Sequence, residues 1–224
     1  LESNRPAASV LRATVAGPAG AIEALLETPD PAPPKSFGVI CHPHPLFGGT
    51  LQNKVVHTLA RSFQELRVPT IRFNFRGVGA SSGSFADGLG ETEDALAVIA
   101  EGRRRWPHAA VWLAGFSFGG AVAFRAAARA GAQLLVTVAP AVRLIAVNDI
   151  KVPDCPWLIV QGDMDELVDP AAVLHWAAQL QPAPTVKVLP GVGHFFHGRL
   201  RELATLVVDF AKERELARES EKPG

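Results

Sequence analysis

Short runs of β-branched and apolar residues alternate along this chain with longer amphipathic ones, and that alternation is what most restricts its fold. Strands that cross over through helices build a mostly parallel sheet covered on both faces. The apolar runs predict eight strands, at about residues 8–15, 21–28, 38–42, 69–75, 111–116, 134–139, 157–162 and 185–189. Only the turn AGPAG separates the first two, so they are expected as an antiparallel hairpin, with the later strands parallel. Helices are expected over 51–66, 91–104, 118–130, 170–180 and about 199–217. In the first, Leu51, Val55, Leu59, Phe63 and Leu66 share one face after a turn at Gly48, Gly49 and Thr50. Glu91, Glu93 and Asp94 place negative charge at the positive end of the second. PDPAPPKS reads as a stiff connecting loop, and KERELARESEKPG as a solvated helix end fraying into a tail. There is no internal repeat.

With 224 residues, 48% of them hydrophobic, the chain has material for one sizeable core. A single α/β domain over residues 1–224 is therefore expected. Lysine and arginine total 22, as do aspartate and glutamate, so there is no basic field to hold a phosphate backbone and nucleic acid is not an expected partner. Cys41 and Cys155 are too few for a disulfide framework. No apolar run reaches the roughly 18 residues of a membrane span, and the opening LESNRPAASV lacks the apolar centre of a secretion signal. A cytoplasmic protein with reduced cysteines is the expectation.

The stretch LAGFSFGGAVAF, residues 113–124, runs from a predicted strand into a predicted helix and leaves one hydroxyl, Ser117, at the joint. Gly115 and Gly119 flank it in a G-x-S-x-G spacing, which lets a strained turn lift the hydroxyl above the sheet edge. A bare motif of this kind also fits a glycine-rich turn with a capping serine; the strand before it and the helix after it favour the catalytic reading. A serine becomes a nucleophile when a base removes its proton, and the base needs an acid to hold its tautomer. WLIVQGDMDELVD supplies Asp163, Asp165 and Asp169 after strand seven, and VKVLPGVGHFFHG supplies His194 after strand eight. Ligands of open α/β sheets sit at this carboxyl edge. Asp163, directly after Gly162, is placed to accept N–H groups of the turn. Asp165, further out, has the reach to meet His194 Nδ1.

These pieces resemble the α/β-hydrolase superfamily, and the resemblance covers nearly the whole chain. It is carried by GFSFGG, GDMDELVD and GVGH, by FNFRGVGASSG after strand four and by CHPHPLFGGT after strand three. It implies an α/β-hydrolase fold and a serine hydrolase with Ser117, His194 and Asp165 as nucleophile, base and acid. It also implies a small-molecule acyl substrate and no cofactor. The small size is most similar to lid-less esterases and dienelactone hydrolase-like proteins. Dienelactone hydrolases proper carry cysteine as nucleophile where this chain has serine, which argues against their lactone substrate.

An oxyanion hole needs two N–H donors, one from the residue after the nucleophile, Phe118, and one from the loop after strand three. Pro43 and Pro45 have no N–H, which leaves His44, Leu46, Phe47 or Gly48. The resemblance of LFGG to the dienelactone hydrolase loop favours Leu46. Only AVRLIAVNDIKVPDC lies between strands six and seven, too little for a cap domain, so an open cleft and short acyl groups are expected.

Other readings rank lower. His42 and His44 with Asp163 and Asp165 have donor atoms suited to a metal, but no third ligand has a diagnostic spacing; support of the oxyanion turn is the preferred role. Gly77, Gly79 and Gly83 follow a strand, yet SFADGLG intervenes before any helical pattern, so a dinucleotide loop is set aside. Cys41 reads as a small buried residue. Phe116, Phe118, Phe195, Phe196 and Trp176 suit an acyl pocket and a plain core equally. A non-catalytic binding protein of this fold remains an alternative, as do thioesterase, peptidase and amidase activities of the same machinery.

Overall fold

Among the described residues the eight apolar runs form eight strands, and the amphipathic runs form five α-helices. In chain order they are β1 (Ser9–Gly17), β2 (Gly20–Thr28), β3 (Ser36–Cys41), α1 (Lys54–Glu65), β4 (Thr70–Phe73), α2 (Leu89–Arg105), β5 (Ala110–Phe116), α3 (Phe118–Ala130), β6 (Leu134–Val138), β7 (Trp157–Gly162), α4 (Pro170–Ala178), β8 (Thr185–Leu189) and α5 (Leu200–Ser220). The structure, a computed structural model, describes residues 9–29, 32–143 and 151–220. Four expectations fall partly outside them: residues 1–8 of the opening segment, 30–31 of the PDPAPPKS loop, 144–150 of the connection before β7, and 221–224 of the tail.

The sheet order is β1-β2-β4-β3-β5-β6-β7-β8. β1 and β2 pair antiparallel, as the short turn requires, and β2 also meets β4 antiparallel; all later pairings are parallel. β3, β4, β5, β6 and β7 are buried at nearly every position, as expected of parallel strands covered on two faces. One face packs Val55, Leu59 and Phe63 of α1 with Leu203, Val207 and Phe210 of α5. The other packs Val98 and Ile99 of α2, Val122 and Phe124 of α3, and Val173 of α4.

The strand order decides where a ligand can sit. From β3 the chain passes to β4 on one side and then to β5 on the other, so the loops leaving β3 and β5 diverge and open a crevice between them. Both the G-x-S-x-G turn and the CHPHPLFGGT loop emerge there.

The first helix starts later than its pattern predicts. Leu51 is buried as expected, but it lies in a turn, its N–H donated to Asn74 Oδ1 at 2.8 Å. Asn53 is the residue that caps α1, its side chain accepting the N–H groups of Val55 and Val56. Before α2, Glu91 turns back to accept the N–H groups of Gly88 (2.8 Å) and Ala86 (2.9 Å). The loop after β4 is fixed by Arg76, which grips the buried Asp94 of α2 through two nitrogens at 2.7 and 2.9 Å. The glycine-rich segment is thus a loop tied to α2 from outside, and the helix does not begin within it.

Candidate active site

Ser117 sits between β5 and α3 with φ 54° and ψ −119°, a backbone conformation that costs a non-glycine residue about 1–3 kcal/mol. The glycines around it serve close approach. A Cβ on Gly115 would lie 2.1 Å from the Gly119 carbonyl oxygen, and one on Gly119 would lie 2.3 Å from that of His42. The turn is pinned from below by the Ser117 N–H, which donates to Val138 O at 2.8 Å. Phe118 opens α3, so its N–H is among the donors that a helix start leaves without an intrahelical partner.

Asp165 and His194 meet. Asp165 Oδ2 lies 2.8 Å from His194 Nδ1, with the aspartate and imidazole side chains both almost wholly buried. Asp165 Oδ1 accepts the N–H groups of Leu167 (2.9 Å) and Val168 (2.7 Å), and Gln161 Nε2 adds a contact to Oδ2 at 3.1 Å. Burial opposes the charged form of this carboxyl, but the hydrogen bonds from His194, Val168 and Leu167 outweigh it and hold the carboxyl below its ordinary range. An ionised acceptor fixes the proton of a neutral His194 on Nδ1 and leaves Nε2 free to accept. Glu166 Oε2 takes the His194 backbone N–H at 3.1 Å, and the Phe116 ring packs 4.8 Å from the imidazole. Asp163 is spent elsewhere: its Oδ1 accepts the Gly191 N–H at 2.6 Å, tying the β7 loop to the β8 loop.

Ser117, Asp165 and His194 line one cleft of about 990 Å³.

The loop after β3 corrects one expectation. The Leu46 N–H donates to His44 Nδ1 at 3.2 Å, and Leu46 is two-thirds exposed and absent from the cleft wall. The N–H groups of Phe47 and Gly49 both go to His44 O. A short 3-10 turn at Pro45–Phe47, capped by His44, has absorbed these donors. Of the loop amides weighed for the oxyanion hole, those of His44 and Gly48 remain. His42 anchors this loop from beneath. Its Nδ1–H donates to Pro43 O at 2.6 Å and its Nε2 accepts the Phe75 N–H at 2.9 Å. Burial pushes its pKa down to about 4, so the ring is neutral at pH 7 and both nitrogens are engaged.

Comparison with known proteins bears on the fold and the family. A family model described as serine aminopeptidase, S33, matches residues 46–152. The chain is 39% identical to XC6422 of Xanthomonas campestris, an α/β serine hydrolase without a lid, with a TM-score of 0.86 over 92% of this chain and 94% of that one. It is 42% identical to an α/β serine hydrolase homologue of Coxiella burnetii, with a TM-score of 0.85 over 89% and 96% of the two chains. An uncharacterized protein of Rickettsia prowazekii, RP471, is 30% identical over 204 residues, 87% of this chain and 85% of that protein. The chain belongs to the α/β serine hydrolases.

In this hydrolase the aromatic side chains divide unequally. Phe116, Phe118 and Phe196 are buried in the core, and Trp176 packs against Phe124 and Trp157. Only Phe195 of the expected group lines the cleft. The apolar wall comes instead from Phe47, Val142 and Leu167, loop residues whose sequence neighbourhoods carry no period to reveal them. Arg143 also faces the cleft, paired with Asp169 at 2.9 Å. Cys41 is fully buried, and burial pushes its thiol far up, away from nucleophilic use. Among the described residues no helix is long and apolar enough to cross a membrane.

Proposed function

We propose that this α/β serine hydrolase cleaves small carboxylic esters or thioesters, with Ser117 as nucleophile, His194 as general base and Asp165 as the acid that orients it. The observation that carries this reading is the 2.8 Å contact of Asp165 Oδ2 with His194 Nδ1, made in the cleft that Ser117 also lines. In the first half-reaction His194 Nε2 takes the Ser117 proton as Oγ attacks the acyl carbon. The tetrahedral oxyanion is held by the N–H groups of Phe118 and His44. His44 is preferred over Gly48 because its ring lies 4.9 Å from that of Phe118, while Gly48 is exposed. Collapse of the intermediate expels the alcohol or thiol, which leaves with the proton from His194. Water then repeats the sequence on the acyl-enzyme, and the acid departs with Ser117 restored.

The open cleft and its wall of Phe47, Val142, Leu167 and Phe195 suit a short or compact apolar acyl group. A peptidase reading draws on the family model's description, and an aminopeptidase would need a free carboxylate to hold the substrate's amino group. Asp169 is committed to Arg143 and to capping α4, and Glu166 holds the His194 N–H, which favours the ester.

A fluorophosphonate should label Ser117 stoichiometrically, and Ser117→Ala should abolish labelling and turnover with the unfolding temperature unchanged. p-Nitrophenyl esters, acyl thioesters and dipeptide anilides assayed side by side assign the bond cleaved. Stoichiometric labelling at another residue, or wild-type turnover by Ser117→Ala, rejects the assignment.

A further inference from the structure

Gln161 is the single side-chain amide of β7 (Trp157–Gly162), and it is fully buried. A strand covered on both faces is filled most cheaply by apolar residues, so an amide there calls for a specific use. Its Nε2 faces three acceptors: Asp165 Oδ2 and Gly162 O, both at 3.1 Å, and Val168 O at 3.4 Å. Its Oε1 is buried with no hydrogen-bond partner among the described residues. These contacts fix the amide's orientation, since turning it over would set Oε1 against all three acceptors. The arrangement favours the donor side at the expense of the acceptor side.

We propose that Gln161 is a positioning residue for the reaction, an inference that rests on the reading of Ser117, His194 and Asp165 given above. The amide spans the acid loop from β7 to Val168 and touches the one carboxylate oxygen that also receives His194 Nδ1–H. Together with the Leu167 and Val168 N–H groups on Oδ1 and His194 Nδ1–H on Oδ2, it surrounds Asp165 with four donors and leaves the carboxylate no freedom to rotate away. It also draws charge from Oδ2, the oxygen that faces His194 Nδ1. The other groups facing His194 are Glu166 at its backbone N–H and the rings of Phe116 and Phe195. Arg143 and Asp169, paired with each other, and the imidazole of His44 complete the charged and titratable groups of the cleft among the described residues.

Two variants test this. Gln161→Met keeps the volume and removes the donor; Gln161→Glu places a second carboxyl against Asp165, so that the two share one proton and the neutral glutamic acid donates in place of the amide. The measurements are kcat and KM for p-nitrophenyl acetate across pH, per site titrated with fluorophosphonate, and the downfield proton resonance of His194 Nδ1–H. For Gln161→Met, kcat should fall about tenfold with KM within about twofold, and the acid limb should move up by about half a pH unit. The Nδ1–H resonance should be displaced as well. For Gln161→Glu, kcat should stay near wild type on the acid side and fall on the alkaline side, where the shared proton leaves. Wild-type kcat, limb and resonance in Gln161→Met would overturn the proposal, whatever its unfolding temperature. Should that variant fail to fold, a Gln161→Glu profile with no added alkaline loss overturns it. If Ser117 takes up no phosphonate, the triad reading fails by itself, and the resonance alone then decides on Gln161.

Discussion

Asp163 and Asp165 stand two residues apart on one loop and hold different partners, so replacing each tests what a single carboxylate does. In Asp165→Asn the remaining oxygen can still accept from Leu167 and Val168, which preserves the loop. The amide nitrogen, however, faces His194 Nδ1 as a donor and favours the wrong imidazole tautomer. The expected loss is on the order of 10⁴ in kcat, as for the buried aspartate of serine proteases. Asp163→Asn weakens only the bond to the Gly191 N–H and should cost about 1–3 kcal/mol of stability, with turnover of the folded fraction little changed. The check is kcat per titrated site for both variants beside thermal unfolding; near-normal kcat in Asp165→Asn with collapse in Asp163→Asn would exchange the roles. The division between these two aspartates was legible in the sequence because reach along a loop follows from spacing. It did not reveal that Asp165 also stitches its own turn through Oδ1, since that depends on how the backbone of 165–168 curls. Leu46 was misjudged for the same kind of reason: its amide is consumed by the His44 ring, a capping contact that a short, proline-interrupted loop does not announce.

At the level of elements, the strand, turn and helix around Ser117 work because β3, β5 and α3 converge more closely than side chains allow. A Cβ on Gly119 would stand 2.3 Å from His42 O and 2.4 Å from Cys41 O, and these are backbone atoms of the loop that also carries His44. Gly119→Ala must therefore push the end of β3 away from the start of α3, separating the amides of His44 and Phe118. It should cost about 1–3 kcal/mol by overpacking and, in addition, most of the phosphonate reactivity. Gly131→Ala is the control: nothing lies within 4 Å of its Cβ, and only its left-handed φ of +55° is strained. That variant should lose about 1 kcal/mol and retain full reactivity. Denaturant unfolding with a phosphonate titration separates the two outcomes; equal reactivity in both would mean that the convergence is not needed by the site. The strands were readable because β3 to β7 are buried nearly throughout and their apolar runs stand out. The start of α1 was not, because the burial of Leu51 mimicked a helical position while its N–H was taken by Asn74 across the sheet edge. Gln161 stands out in the sequence as a lone amide in the apolar run WLIVQG.

Across the whole molecule, buried polar ties join the strand ends around the crevice at the strand-order reversal, and His42 is one of them. It joins the exit of β3 to Phe75 after β4 while lying wholly out of solvent, and burial lowers its pKa from 6.5 to about 4. The unfolded chain therefore binds a proton at this residue below pH 6.5, whereas the folded chain refuses it until about pH 4. Stability is full above the upper value, declines as pH falls through the window, and has lost roughly 3 kcal/mol at its lower end. His44 and His57 are shifted down as well, chiefly by burial, and add to the loss in the same direction. Carboxylates held below their ordinary range, Glu23 and Asp165 among them, begin to withdraw their contribution as pH falls through their ordinary values of 4.5 and 3.8, at the foot of this window and below it. The upper part of this window, from pH 6.5 down to the ordinary glutamate value of 4.5, thus belongs to histidine. Urea unfolding measured at intervals across that window should trace the decline, and His42→Asn should be less stable at pH 7 yet show a flatter dependence. A wild-type slope retained in His42→Asn would assign the sensitivity to other groups and remove His42 as the tie that acid breaks.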